Sequence, residues 1–180
     1  PSGSAYKPGD VVRTMSGKTI EIVNTDAEGR VILSDALHYG GDRYQPDAMV
    51  ELSTLTGGCI IAVGHHAIGG MGNSDELLSG LRAAGDAVNE RIWPLPFFDE
   101  YGEMVKSTVA DVKNSAGRIA SSVTAGKFLE HVVGEHPWVH LDIASTAYHD
   151  GATPKLNDEY CPEKATGVGV RLLVRWMRDF

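Results

Sequence analysis

The chain has 180 residues, one domain's worth and enough to bury a substantial core. Hydrophobic residues make up 42% and charged residues 22%, ordinary proportions for a globular protein, and the net charge of −8 argues against nucleic acid or an anionic membrane as partner. No apolar run approaches the length that spans a bilayer, so neither a membrane span nor a secretory signal is expected.

Residues 1–10 are rich in Gly, Ser and Pro and read as an irregular approach. The chain opens on Pro1 rather than Met, and the expectation is that it has been processed or cut from something longer. Val11 to Met15 reads as a short strand, turned by Ser16-Gly17 into a second over residues 18–23, whose Ile20 and Ile22 share a face; together they form a hairpin. Residues 31–39 place Ile32, Leu33, Ala36 and Leu37 at helical spacing. Between strand and helix lies Asn24-Thr25-Asp26-Ala27-Glu28-Gly29-Arg30, at the kind of strand-to-helix junction where open α/β sheets place their ligands.

Gly40-Gly41-Asp42 and Pro46 mark a loop, and residues 48–52 a strand leading to Thr54-Leu55-Thr56-Gly57-Gly58. Residues 59–63 read as a short buried helix, and the glycines between Gly64 and Gly72 punctuate a loop or short strand around Ala67-Ile68. Ser74 opens a helix in capping style, with Leu77, Leu78, Leu81, Ala84 and Val88 as its apolar stripe. Trp93-Pro94-Leu95-Pro96 is extended, because each Pro disfavours helix at the residue before it. Residues 100–105 read as helical and 111–118 as polar and irregular. Ser121-Ser122 cap a helix closed by Gly134, residues 138–143 form a strand, 149–161 a polar loop and 168–177 a last helix. Strands alternate with helices, which predicts an α/β fold with a mainly parallel sheet flanked by helices. Cys59 and Cys161 lack metal-type spacing and read as free thiols, with one disulfide as the alternative.

In an extended backbone, side chains two apart share a face, roughly 6–7 Å apart at Cα. Asp26, Glu28 and Arg30 then point the same way. Two readings fit that spacing. One is a polar loop with an intrastrand salt bridge. The other is a pair of carboxylates held by divalent ions ~3.5–4 Å apart, with Arg30 holding an anion beside them. The remaining constellations point elsewhere. His65-His66 are adjacent and do not converge in helix or strand, so they read as a solvated or capping pair. His140 and Asp142 share a strand face and could pair, and His140 reads as structural. Ser53 and Ser145 lack the nucleophile-elbow pattern of serine hydrolases.

The run Asn24-Thr25-Asp26-Ala27-Glu28-Gly29-Arg30 resembles the signature of the leucyl (cytosol) aminopeptidases, which are two-metal exopeptidases. The resemblance continues through Ser53-Thr54-Leu55-Thr56-Gly57, Ala110-Asp111-Val112 and Trp138-Val139-His140-Leu141-Asp142-Ile143-Ala144, and ends near Ala165-Thr166-Gly167. It implies a metal-dependent aminopeptidase that removes leucine-like N-terminal residues from peptides. By the same resemblance Asp26 and Glu28 hold two divalent ions, zinc or manganese, while Arg30 holds a bicarbonate ion acting as general base. Asn24, Thr54, Leu55, Gly57 and Ala144 match substrate-binding positions, and for Ala144 core packing is an equal alternative. A cytoplasmic homo-oligomer, a hexamer in the family, is implied, with no nucleic acid or membrane partner.

The chain departs from the family pattern at Asn114 to Ser122, where a glycine-rich turn is usual, and at Ser145, where Gly is usual. The family's upstream block, which supplies a lysine and two aspartates to the metals and a second catalytic lysine, has no counterpart in residues 1–18. The expectation is therefore that residues 1–180 form the C-terminal portion of a catalytic domain, inactive alone and completed by a missing N-terminal part. A non-catalytic oligomerisation or binding module that kept the signature is the competing possibility.

Overall fold

The computed structural model describes residues 2–149 and 163–179; most of the polar loop expected over 149–161, and Cys161, lie outside the described residues. In chain order the elements are β1 (Val11–Arg13), β2 (Thr19–Glu21), α1 (Glu28–Tyr44), β3 (Met49–Ser53), α2 (Gly57–Val63) and β4 (Ile68–Gly72). They continue with α3 (Asp75–Ala87), β5 (Ile92–Pro94), α4 (Glu100–Glu103), β6 (Val112–Lys113) and α5 (Ser121–Val133). The last are β7 (Trp138–Asp142), β8 (Tyr148–His149), β9 (Lys164–Ala165) and α6 (Val170–Asp179). No described helix is long and apolar enough to cross a membrane.

The chain divides into two compact units, Pro1–Met49 with Phe97–His136, and Val50–Pro96 with Pro137–Phe180. In the first, β1 and β2 form the expected hairpin, Val12 opposite Ile20, and β6 adds to β2 in parallel, Ile20 opposite Val112. Helices α1 and α5 pack together, and Ile20, Ile22, Leu37, Phe128, Leu129 and Val132 are buried. β6 occupies a stretch expected to be irregular, because two residues are too few to show a period. In the second unit the sheet order is β3-β7-β4-β5, with β7 and β4 antiparallel and β4 and β5 parallel. Ile68, Met71, Trp138 and Leu141 lie in its core, and α3 packs against α6. The fold is α/β with sheets flanked by helices, as the alternation of elements implies. Its sheets are mixed, since the β7–β4 pair joins strands distant in sequence whose direction no local pattern encodes.

Several local expectations are corrected. Gly40-Gly41-Asp42 is not a loop but part of α1, which ends on Gln45 in the left-handed region. Gly41 is there for closeness rather than flexibility: a Cβ would lie 2.9 Å from the His136 imidazole. Ser121-Ser122 do not cap α5; both are helical, and Ala120 at φ 50° makes the turn. The 57–63 helix is not buried, for only Cys59 is covered while Ile61 is 83% exposed.

Candidate active site

The strand-to-helix junction winds earlier than its apolar spacing suggests. Asn24 is extended and its Oδ1 accepts from the Asp26 N–H at 3.0 Å, capping a 3-10 turn over Thr25–Ala27 that runs straight into α1 at Glu28. The signature is therefore not extended beyond Asn24, and Asp26, Glu28 and Arg30 do not share one face. Residues two apart in a helix differ by about 200° in direction. Arg30 accordingly turns inward, only 7% exposed, and its Nη1 donates to the Asn114 carbonyl at 2.9 Å.

Asp26 and Glu28 stay together despite the winding. Both are exposed, and both line one open depression of about 550 Å³ with Ser4, Ala5, Tyr6 and Thr25. Among the described residues no hydrogen bond or ion pair engages either carboxylate. Asp26 in the 3-10 turn and Glu28 in the first turn of α1 both lie at the positive end of the winding that starts at Asn24, where the helix dipole favours acids. A pair of hard oxygen donors on one open depression fits divalent cations, manganese more readily than zinc on ligand type alone. Among the described residues no group of three or more His, Cys, Asp or Glu side chains is placed to hold a metal, so these two acids do not make a complete metal site by themselves.

One residue fixes this junction, and its sequence context did not single it out. Asn114 is fully buried; its Oδ1 accepts from the N–H groups of Val23 and Asn24 at 2.9 and 3.2 Å. Its Nδ2 donates to the carbonyls of Asn24 and Ala27 at 2.6 and 3.4 Å. With the Arg30 contact to its own carbonyl, Asn114 ties Asn24, Ala27 and Arg30 to the end of β6. The clue was its place just after Ala110-Asp111-Val112, but a lone Asn carries no periodic signal.

The second unit builds its candidate residues around another buried acid. Asp142, at the end of β7 and fully buried, accepts on Oδ1 from the N–H groups of Leu55 at 3.2 Å and Ala144 at 3.1 Å. On Oδ2 it accepts from the Thr56 hydroxyl at 2.6 Å. Thr56 in turn caps α2, its Oγ1 accepting from the Cys59 N–H at 3.1 Å. Thr54 and Gly57 are exposed; Leu55 and Ala144 are half-buried. Asp142 thus joins two separate stretches of expected substrate-binding residues, and it does not pair with His140. His140 Nδ1 donates to the Glu51 carboxylate instead.

Nucleophilic alternatives fail on geometry. Cys59 is a free, buried thiol whose pKa is pushed up, first by burial and then by the Asp142 charge, so it stays protonated. Ser145 is buried with its hydroxyl donated to the Ala67 carbonyl at 2.6 Å, and His65 Nδ1 donates to the Ser145 carbonyl at 2.8 Å rather than to a hydroxyl.

Against known proteins, the model of the cytosol aminopeptidase family, catalytic domain, matches residues 1–174. A probable cytosol aminopeptidase of Geobacter sulfurreducens is 55% identical over 178 residues, covering 99% of this chain and 35% of its own length. One of Roseiflexus castenholzii is 53% identical over 180 residues, covering 100% of this chain and 36% of its own. A solved structure of a mutant tomato leucine aminopeptidase aligns with a TM-score of 0.90 at 35% identity, covering 100% of this chain and 34% of that one. The chain spans about a third of the length of the curated relatives it matches.

Proposed function

Because this chain belongs to the cytosol aminopeptidase family and matches its catalytic domain, we propose that it is the C-terminal part of a metal-dependent aminopeptidase that removes leucine-like N-terminal residues from peptides. The observation that carries this reading is the pair of exposed, unbonded carboxylates, Asp26 and Glu28, on one depression. In a non-catalytic module the two acids would serve only the helix start.

Asp26 and Glu28 would hold the two divalent ions, zinc or manganese, with the remaining ligands coming from the longer parent. When bound, such a pair acidifies a water and polarises the scissile carbonyl. The chain's own residues do the rest. Arg30 holds bicarbonate as the base, and the bond from its Nη1 to Asn114 sets the plane in which a flat anion is gripped. Asn24, Thr54, Leu55, Gly57 and Ala144 receive the peptide, and the small Gly57 and Ala144 leave room for a bulky first side chain. The parent is proposed to be a cytoplasmic homo-oligomer, hexameric as in the family, and the 180-residue chain alone to be inactive.

The test is leucine-anilide hydrolysis by the parent protein, before and after chelation and with Mn²⁺ or Zn²⁺ restored. Activity that vanishes on chelation and returns with metal is expected. Turnover indifferent to chelation would remove the two-metal reading.

A further inference from the structure

The Asp142 carboxylate has only donors around it: two backbone N–H groups and one hydroxyl, on both of its oxygens. A carboxylate is the one side chain of this size that accepts on both ends. Its partners Leu55 and Ala144 lie just beyond the ends of the neighbouring strands β3 and β7, with the Ile143 N–H donating to the Ser53 carbonyl at 2.9 Å between them. We infer that Asp142, locked by the Thr56 hydroxyl, is a positioning residue that sets the direction of the substrate-binding backbone at Thr54–Leu55 and at Ala144. The inference rests on the aminopeptidase reading above.

The geometry follows from the peptide plane. No described peptide bond is cis, so the Thr54 C=O and the Leu55 N–H point in opposite directions. Asp142 draws the Leu55 N–H inward, which turns the Thr54 carbonyl outward, on a residue that is itself exposed. Among the described residues no N–H or hydroxyl donates to that carbonyl. It is thus an acceptor aimed by a buried charge toward whatever N–H group a peptide brings. The Ile143 carbonyl, which the Ala144 contact orients in the same manner, is already used by the N–H groups of Thr146 and Ala147 at 3.0 and 2.8 Å. Ala144 therefore contributes placement of its side chain rather than a second acceptor. A preorganised acceptor improves binding by sparing the loop its ordering cost when substrate arrives.

Asp142→Asn keeps the shape but must turn an NH₂ toward a donor on one side. Thr56→Val keeps the shape of Thr56 and removes its hydroxyl, and Thr56→Ser keeps the hydroxyl. In the parent enzyme, KM for leucine-anilide is expected to rise about tenfold in Asp142→Asn and Thr56→Val, with kcat within about twofold and metal content unchanged. Thr56→Ser is expected to restore KM. Amide hydrogen exchange at Leu55 and Ala144 is expected to quicken in Asp142→Asn, and Thr56→Val carries the test alone if that variant does not fold. Faster exchange with unaltered KM, or a fall in kcat alone, overturns the positioning role. Wild-type protein without any turnover overturns the aminopeptidase reading and this role with it, so the two failures are told apart by the wild type.

Discussion

The Asn114 side chain holds residues 23–27 through four hydrogen bonds. Removing it leaves the N–H groups of Val23 and Asn24 and the carbonyls of Asn24 and Ala27 without their buried partner. Asn114→Ala is expected to cost about 3 kcal/mol in unfolding free energy, measured by urea denaturation. Arg30 calls for a different substitution. Arg30→Lys keeps the charge but loses the planar fork, so in the parent enzyme kcat should drop more than metal content does, and unchanged turnover with bicarbonate varied would rule out its anion role. Asp26, Glu28 and Arg30 were legible in the sequence as a heptapeptide. Their directions were not, because an Asn cap at Asn24 starts the winding before the apolar period of α1 becomes visible. Asn114 and Asp142 were illegible as anchors, since a buried polar residue is explained only by partners far along the chain, 84–91 residues away for Asn114 and 86–87 for Asp142 and the 55–56 stretch.

At the scale of elements, the hairpin, the helices α1, α3, α5 and α6 and the strands β3, β5 and β7 follow from period and punctuation. The glycines misled where they serve packing rather than turns. Gly72, in β4 opposite Val139 of β7, is a case in point: a Cβ would sit 2.1 Å from the Trp138 carbonyl oxygen. Gly72→Ala must push the two strands apart and is expected to cost ~3 kcal/mol, seen as a lowered thermal midpoint. Helix α5 carries a pH response near its end. The His131 pKa is held below its ordinary 6.5, chiefly by burial and then by the Lys18 charge, with Asp111 opposing. An imidazole that resists protonation when folded binds its proton more readily unfolded, so stability is fully present above 6.5 and falls as pH drops through and below it. Thermal midpoints measured from pH 8 to pH 5 should decline, and His131→Gln should flatten that decline. An identical slope in the variant would assign the loss to other groups.

At the scale of the molecule, each of the two compact units carries its own buried polar anchor under its share of the candidate residues, Asn114 under the acids and Asp142 under the substrate stretches. The curated relatives are about three times as long as this chain. Asp26 and Glu28 are proposed to bind divalent metal rather than merely decorate a helix start. Calorimetric titration of Mn²⁺ into the metal-stripped parent protein, wild type against Asp26→Asn combined with Glu28→Gln, tests it most directly. These exposed, unbonded acids should be replaceable without loss of folding, so an unchanged thermal midpoint is expected in the variant together with loss of tight Mn²⁺ binding. Equal affinity and stoichiometry in the two proteins would contradict it.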